Sequence, residues 1–269
     1  MECLSNTRIT LPCLLGVLAC ICFSSSLTVA QTMDGLRISS GFDYSEGDYG
    51  STTDTAILYV PLTATYDVDS WRFRLTVPYI RIRGPGNVVG GGTEGPVVVG
   101  PGGGSVTTES GLGDLIGAIS YSLSPGSSYL PYVDLTGKVK IPTADKSKRL
   151  GTGEFDYTAQ VDLFQPIGPV TPYATVGYRV RGDSSSFTLK DGFILAAGLG
   201  YRVSDKFTLG AIYDFRQAST SSSEDAQELA PYVTWRVTSD WSVNLYGVVG
   251  LSDGSPSSGG GLQLTYHVQ

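Results

Sequence analysis

The chain has 269 residues, of which 16% are charged, and its formal net charge is −7 at pH 7. This acidity argues against a nucleic-acid-binding protein, which needs a basic stripe. The 35 glycines among 269 residues are a larger share than the average of about 7%. No internal apolar run approaches the roughly 18 residues of a membrane-spanning helix.

The first segment, 1–30, has the features of a cleaved secretory signal peptide. Arg8 precedes an apolar run that ends at Phe23, and Ala30 fits a signal-peptidase site. A lipoprotein signal is the less favoured alternative, because apolar residues directly follow its candidate cysteine. All four cysteines lie in this segment, so the mature chain, 31–269, is expected to contain no disulfide and no thiolate metal site.

From residue 35 onward, apolar and polar residues alternate in segments of about ten. Between Val133 and Ile141, for example, polar Asp134, Thr136 and Lys138 occupy every second position. A period of two predicts β-strands. Twelve strands are predicted, near 35–44, 55–67, 71–83, 112–123, 129–141, 154–164, 170–181, 192–203, 207–216, 227–237, 241–251 and 260–268.

The connections and the aromatic residues predict where these strands lie. Five short connections alternate with six longer ones, as in outer-membrane barrels. On the apolar face, one aromatic belt lies beside the short turns and comprises Tyr66, Trp71, Tyr121, Tyr129, Tyr201, Phe207, Trp235, Trp241 and Tyr266. A second lies beside the long loops and comprises Phe42, Tyr44, Tyr79, Phe155, Tyr157, Tyr178, Phe193, Tyr213 and Phe215. Two belts around an aliphatic band indicate a bilayer rather than a sandwich core.

We therefore predict an all-β fold: a 12-stranded antiparallel transmembrane β-barrel in the bacterial outer membrane, reached after secretion through the inner membrane. Both termini are expected on the periplasmic side, where the short turns lie.

The polar face near the outer mouth carries charges of both signs. Antiparallel pairing across the neighbouring connections would set a cation on each side of a carboxylate. The predicted lumen ladder has two rungs and one further pair, Lys140–Glu154–Arg181, Lys138–Asp156–Arg179 and Arg216–Glu228. Two interpretations stay open: a constriction that selects permeants by charge and size, or salt bridges that hold the wall together.

Inward-facing tyrosines form a second feature of the lumen. They are Tyr59, Tyr132, Tyr173, Tyr232 and Tyr246. They either form a track that binds sugars or aromatic compounds, or simply fill the interior.

The longest connection, 84–111, is rich in glycine. No Gly-Lys-Ser/Thr follows these glycines, so they do not indicate a phosphate-binding loop. The segment either folds into the mouth as a plug or stays disordered outside the barrel. Its composition favours disorder.

Catalysis is not expected. A serine hydrolase needs a base beside its nucleophile, and His267, the chain's one histidine, lies at the periplasmic end of the last strand. No Gly-x-Ser-x-Gly motif occurs, and one histidine cannot supply the ligands of a metal hydrolase. We predict no catalytic residue, no cofactor and no metal site.

Three short motifs resemble those of a known family. They occupy residues 110–115 (SGLGDL), 138–143 (KVKIPT) and 150–157 (LGTGEFDY). They are similar to motifs of outer-membrane transporters associated with the meta-pathway of phenol degradation, and the likeness covers about 110–269. The resemblance implies uptake of small, often aromatic, compounds.

The sequence thus predicts an outer-membrane channel for passive or weakly selective uptake of small solutes. The alternative is a non-conducting structural or surface-binding barrel. The expected partners are outer-membrane lipids and lipopolysaccharide, the barrel-assembly machinery and a small-molecule permeant, with no nucleic acid.

Overall fold

The computed structural model describes residues 35–91, 95–100, 104–127, 129–184 and 186–268. The predicted signal peptide, 1–30, lies outside these residues. None of the helices in the described ranges is long and apolar enough to cross a membrane.

The described residues form fifteen strands. They are β1 (Gly35–Gly47), β2 (Thr55–Val68), β3 (Trp71–Gly84), β4 (Val88–Val89), β5 (Val97–Val98), β6 (Thr107–Leu112), β7 (Leu115–Leu123), β8 (Tyr132–Ile141), β9 (Asp156–Phe164), β10 (Val170–Arg181), β11 (Gly192–Arg202), β12 (Phe207–Arg216), β13 (Ala226–Arg236), β14 (Trp241–Gly250) and β15 (Ser258–His267).

All of these strands except β4 and β5 join one antiparallel sheet, which closes where β1 pairs with β15. Strand β3 pairs with β2 on one side and with both β6 and β7 on the other. Strands β6 and β7 therefore share one position in the wall. The predicted 12-stranded barrel is confirmed.

The wall separates two environments because successive side chains of a strand point to opposite faces. On β10, Thr175 and Arg179 are buried, whereas Val176 and Tyr178 are 53% and 41% exposed. Apolar side chains on an exterior of this kind are stable when they face lipid, and a closed barrel leaves no backbone group unpaired there.

Aromatic rings meet in pairs on the outer surface. On the short-turn side, Trp71 contacts Tyr121 with ring centroids 4.8 Å apart, and Trp241 contacts Tyr266 at 4.7 Å. On the long-loop side, Phe193 packs edge-on against Tyr178 at 5.0 Å. These pairs mark two interfacial belts, which fix the orientation of the barrel in the bilayer.

A β-bulge interrupts the wall between β6 and β7. Tyr79 pairs with Leu112 and Thr76 with Ile116, so two residues of β3 face three residues of the partner. Gly113 is the residue where the alternation breaks, and a Cβ there would lie 2.9 Å from the Pro78 ring. Across the bulge, Leu112 faces outward and is 62% exposed, whereas Asp114, two residues later, is buried in the lumen.

Inside the barrel, tyrosine rings lie flat over glycines of the neighbouring strand. Tyr173 is paired with Gly198 and Tyr232 with Gly210. A Cβ at Gly198 would lie 2.4 Å from the Tyr173 ring, and one at Gly210 would lie 2.3 Å from the Tyr232 ring. The missing side chains therefore provide the space that the rings occupy.

Candidate functional site

A small hairpin lies within the external mouth of the barrel. Strands β4 and β5 pair Val88 with Val98 and Val89 with Val97, and all four valines are buried. The expectation that the connection 84–111 is disordered is therefore wrong for 86–91 and 95–100. The reason is that the valines between the glycines supply an apolar surface large enough to bury. We call the segments 86–91 and 95–100, which β4 and β5 hold together, the plug.

The plug packs against one side of the wall. Val88 and Val98 belong to an apolar cluster with Ile57, Ile80 and Ile82, which point inward from β2 and β3. Burial of these side chains removes apolar surface from water and holds the hairpin inside the mouth.

Hydrogen bonds fasten the plug to several elements of the mouth. Thr55 Oγ1, at the start of β2, donates to Asn87 Oδ1 at 3.0 Å, and Asn87 Nδ2 donates to the Asp48 carbonyl oxygen at 3.2 Å. Ser219 Oγ donates to the Val98 carbonyl oxygen at 2.9 Å. The plug thus touches the connection after β1 and the one after β12.

The connection after β8 presents Arg149 and Leu150 to the plug. Its 3-10 turn begins at Asp145, whose carboxylate accepts hydrogen bonds from Ser147 N at 2.9 Å and Ser147 Oγ at 2.6 Å. These hydrogen bonds hold the pKa of Asp145 below its usual value. Arg149 then donates from its guanidinium to the Gly86 carbonyl oxygen, and Gly90 N donates to the Arg149 carbonyl oxygen at 3.3 Å.

Beneath the plug lies a buried ionic cluster centred on Lys140. Lys140 Nζ lies 3.2 Å from Asp114 Oδ2 and 3.2 Å from Asp156 Oδ2, and it donates to Thr152 Oγ1 at 2.7 Å. All four side chains are buried. One ammonium group therefore lies between two carboxylates and attracts both, where they would otherwise repel each other in a region with little water.

The three sequence motifs meet at this cluster. Asp114 comes from SGLGDL, Lys140 from KVKIPT, and Thr152 and Asp156 from LGTGEFDY. Thr143 Oγ1 donates to the Gly113 carbonyl oxygen at 3.1 Å and accepts a hydrogen bond from Leu115 N at 2.9 Å. The second motif thus satisfies backbone groups that the bulge in the first motif leaves unpaired.

The predicted rungs of the lumen ladder are wrong by two residues. Lys140 lies opposite Asp156, and Asp156 lies opposite Arg181. Lys138 and Arg179 instead lie on either side of Thr158. Neither predicted rung, Lys140–Glu154–Arg181 nor Lys138–Asp156–Arg179, is formed.

Two connections account for the shift. Between β9 and β10, Ile167 and Val170 bridge each other around Gly168, which has a φ of +61°, so the turn is centred one position later than expected. Strand β9 begins only at Asp156, and Glu154 lies in the preceding loop with its carboxylate 3.7 Å from Lys146 Nζ.

A second ionic cluster surrounds Arg216 on β12. Its guanidinium Nε lies 2.9 Å from Asp214 Oδ1, and its Nη2 donates to Glu228 Oε1 on β13. Asp214 also interacts electrostatically with Arg179 and Lys138. The structure therefore brings Arg216 and Glu228 together and adds Asp214 to the pair.

The inward tyrosines are buried to different degrees and pack on one another. Tyr132 stacks on Phe164 with ring centroids 5.0 Å apart, and Phe164 belongs to one apolar cluster with Tyr173, Tyr232 and Tyr246. Tyr246 OH donates to Asp43 Oδ2 at 2.7 Å. Along β8–β10, rings therefore line the short-turn end of the lumen, whereas charges line the end beside the plug.

The space between the plug and the ionic cluster is small. A cavity of about 10 Å³ separates Gly91 of the plug from Lys138, Lys140 and Asp156. This volume is about the minimum that a single water molecule needs. Within the described residues, no group of three His, Cys, Asp or Glu side chains is arranged to hold a metal ion.

Sequence reasoning missed Asp114, Thr152 and Asp214 as members of these clusters. Asp114 could have been found, since it lies seven positions before outward-facing Tyr121, and alternation along the predicted strand therefore places it on the lumen face. Asp214 could also have been found, because it lies two residues before Arg216 on the same strand and therefore points to the same, inward face.

Residues 38–268 match the family model described as "Putative MetA-pathway of phenol degradation". The match runs through the whole barrel and includes the three motifs. No curated protein matches the sequence.

Several solved structures share the architecture. The COG4313 outer membrane channel from Pseudomonas putida F1 is similar with a TM-score of 0.66 and 12% identity, over 89% of this chain and 97% of that one. The KdgM porin in complex with disordered oligogalacturonate has a TM-score of 0.54 and 8% identity, over 87% and 99%. The translocator domain of autotransporter NalP from Neisseria meningitidis has a TM-score of 0.51 and 10% identity, over 87% of each chain. At such identities the likeness establishes the fold, and a fold serves more than one function.

Proposed function

Since the chain belongs to the family described as "Putative MetA-pathway of phenol degradation", we propose that it is an outer-membrane channel for small solutes. Uptake is passive or weakly selective, and aromatic compounds are among the solutes. The family membership agrees with the resemblance that the three motifs carry.

The observation that carries this proposal is the plug. The plug occupies the mouth of a closed barrel whose wall is twelve strands around. Barrels of more than eight strands have room for a passage that side chains alone do not fill. The plug is held by packing and by a few hydrogen bonds, each worth a net 0.5–1.5 kcal/mol or so. We propose that it acts as a gate, which closes the passage in the arrangement described and opens when the hairpin moves outward.

The lumen below the gate supports the proposed class of solute. Tyr132, Phe164 and Tyr173 offer rings toward the short-turn end of β8–β10. Lys138 and Arg179 offer cations nearer the mouth, on two of the same strands. Aromatic rings stack favourably on such faces, and cations attract their π-electrons. We propose that the ionic clusters form the constriction that selects by charge and size.

A disulfide between the plug and the wall tests the gate. Thr55→Cys with Asn87→Cys replaces a hydrogen-bonded pair whose oxygens are 3.0 Å apart, and the native cysteines all lie within 1–30. In a planar bilayer, the oxidised protein should show few openings, and dithiothreitol should restore the conductance of the wild type. The single variant Thr55→Cys is the matched control. Equal conductance before and after reduction would exclude the plug as the gate.

A non-conducting surface-binding barrel is the second candidate, favoured by the small cavity beneath the plug and the buried rings. It predicts no conductance in the wild-type protein or in the reduced double variant. The absence of catalysis and of cofactors stays a prediction.

A further inference from the structure

Two arginines stand out on the exterior of the barrel. Arg81 and Arg83 lie on the outward face of β3, and both are exposed. Within the described ranges, neither makes a hydrogen bond or an ion pair. The buried cations Lys140 and Arg216, by contrast, each contact two carboxylates.

Their position along β3 gives their depth in the membrane. The outward face of this strand carries, in order, Val77, Tyr79, Arg81 and Arg83. Tyr79 belongs to the aromatic belt beside the long loops. With a rise of about 3.3 Å per residue and a tilt of about 40°, the two arginines lie about 5 and 10 Å beyond this tyrosine. Arg81 therefore lies within the headgroup region of the outer leaflet and Arg83 just beyond it, because the polar layer of a bilayer adds about 5–8 Å on each side of the hydrocarbon.

The neighbouring strands leave the two charges without a counter-ion. On β2, Leu58 lies beside Arg81 and Ala56 beside Arg83. On β6, the corresponding neighbours are Ser110 and Thr108, which contribute hydroxyl groups. Glu46 on β1 is an outward carboxylate at the same height as Arg83, but β2 lies between them. It accepts a hydrogen bond from Tyr44 OH at 3.0 Å.

The surface below the arginines is apolar. Leu112 on β6 pairs with Tyr79 and is 62% exposed. From the bilayer centre outward, the wall therefore changes from aliphatic to aromatic, then to hydroxyl and guanidinium groups. The same order of chemistry occurs in a phosphorylated glycolipid, from acyl chains through sugar to phosphate.

We propose that Arg81, Arg83, Thr108 and Ser110, above Tyr79 and Leu112, form a binding site for the phosphorylated sugar of an outer-leaflet glycolipid. The guanidinium groups bind the phosphate oxygens, since arginine matches phosphate with two parallel hydrogen bonds. The hydroxyl groups bind the sugar, and the acyl chains lie against Leu112 and the aliphatic part of β3.

Binding of defined lipids to the mature chain in detergent micelles tests the proposal. Diphosphoryl lipid A, monophosphoryl lipid A and phosphatidylethanolamine are titrated separately and followed by native mass spectrometry. We expect the diphosphoryl form to bind best. The variant R81Q/R83Q should bind it about tenfold more weakly or worse, as each arginine near an anionic membrane surface contributes on the order of 1 kcal/mol. The variant R81K/R83K should retain part of the affinity.

A matched control removes two charges elsewhere. Lys148→Gln with Lys206→Gln changes exposed lysines in an external loop and a short turn, and it should bind diphosphoryl lipid A as the wild type does. Heat-modified mobility in a gel verifies that each variant is folded. Undiminished binding by folded R81Q/R83Q would overturn the proposal. Equal affinity of the wild type for phosphatidylethanolamine would also overturn it, because the surface would then recognise bilayer lipid in general.

Discussion

Ionisable side chains in the lumen lie in groups that contain charges of both signs. Lys140 contacts Asp114 and Asp156, and Arg216 contacts Asp214 and Glu228. An isolated charge in this environment would be strongly disfavoured, whereas a paired and hydrogen-bonded one is tolerated. Mixed charge along the polar face is therefore visible in the sequence, but each partner is determined by register.

Removal of the central ammonium group should destabilise the barrel. Lys140→Met leaves Asp114 and Asp156 buried without their common cation, and breaking a buried pair in this way costs about 3–5 kcal/mol. Urea unfolding in micelles, followed by tryptophan fluorescence, measures the change. Lys148→Met is the matched control, because this lysine is exposed, and its effect should stay within about 0.5 kcal/mol. Similar stability of the two variants would show that the cluster does not support the wall.

At the scale of strands and turns, register depends on details that composition does not reveal. The alternation of apolar and polar residues correctly predicted that Lys138, Asp156 and Arg179 face the lumen. The partners predicted for them on the neighbouring strands were wrong. A turn that is centred one position later shifts the antiparallel partners by two residues. Each side chain then stays on the same face of the sheet but has a different neighbour. The Gly113 bulge has the opposite effect, since it puts Leu112 on the exterior although alternation from Tyr121 places that position on the lumen face.

The contact between tyrosine rings and lumen glycines yields a prediction for adjacent strands. Gly198→Ala places a methyl group 2.4 Å from the Tyr173 ring, so we expect a loss of about 1–3 kcal/mol from overpacking. Gly137→Ala is the control, because a Cβ at that outward strand position would meet nothing within 4 Å. Thermal unfolding in micelles compares the two variants. A Gly198→Ala protein as stable as the control would show that the ring is free to move aside.

At the scale of the whole molecule, the barrel and the plug have different roles. The wall is held by continuous strand pairing, whereas the plug is held by a few side-chain contacts at the mouth. Parts of a protein with fewer contacts open at a smaller free-energy cost than the sheet that surrounds them. This difference in stability is what a gate requires.

Replacement of the plug by a short glycine–serine linker tests this division. With residues 86–100 removed, the barrel should still fold, and its conductance in a planar bilayer should rise because the hairpin no longer fills the mouth. A surface-binding barrel would remain silent instead.

The plug-deleted protein also tests the lumen clusters. Arg179→Glu in that background should shift the reversal potential toward cation selectivity, since the buried Arg179 side chain faces the lumen. An exposed charge reversal, Lys148→Glu, is the control. Identical selectivity of the two proteins would mean that Arg179 does not face the permeating ions.

The sequence by itself determined the class of fold, the twelve wall positions, the two aromatic belts and the face of most lumen charges. These features follow from the alternation of apolar and polar residues along each strand and from the aromatic residues at strand ends. Both are properties of the local sequence. Tertiary structure alone decided the partners of Lys140, the outward position of Leu112 and the folding of the valine hairpin into the mouth. Such features depend on the offset between strands and on the space left inside a closed wall, and both arise only when distant segments meet.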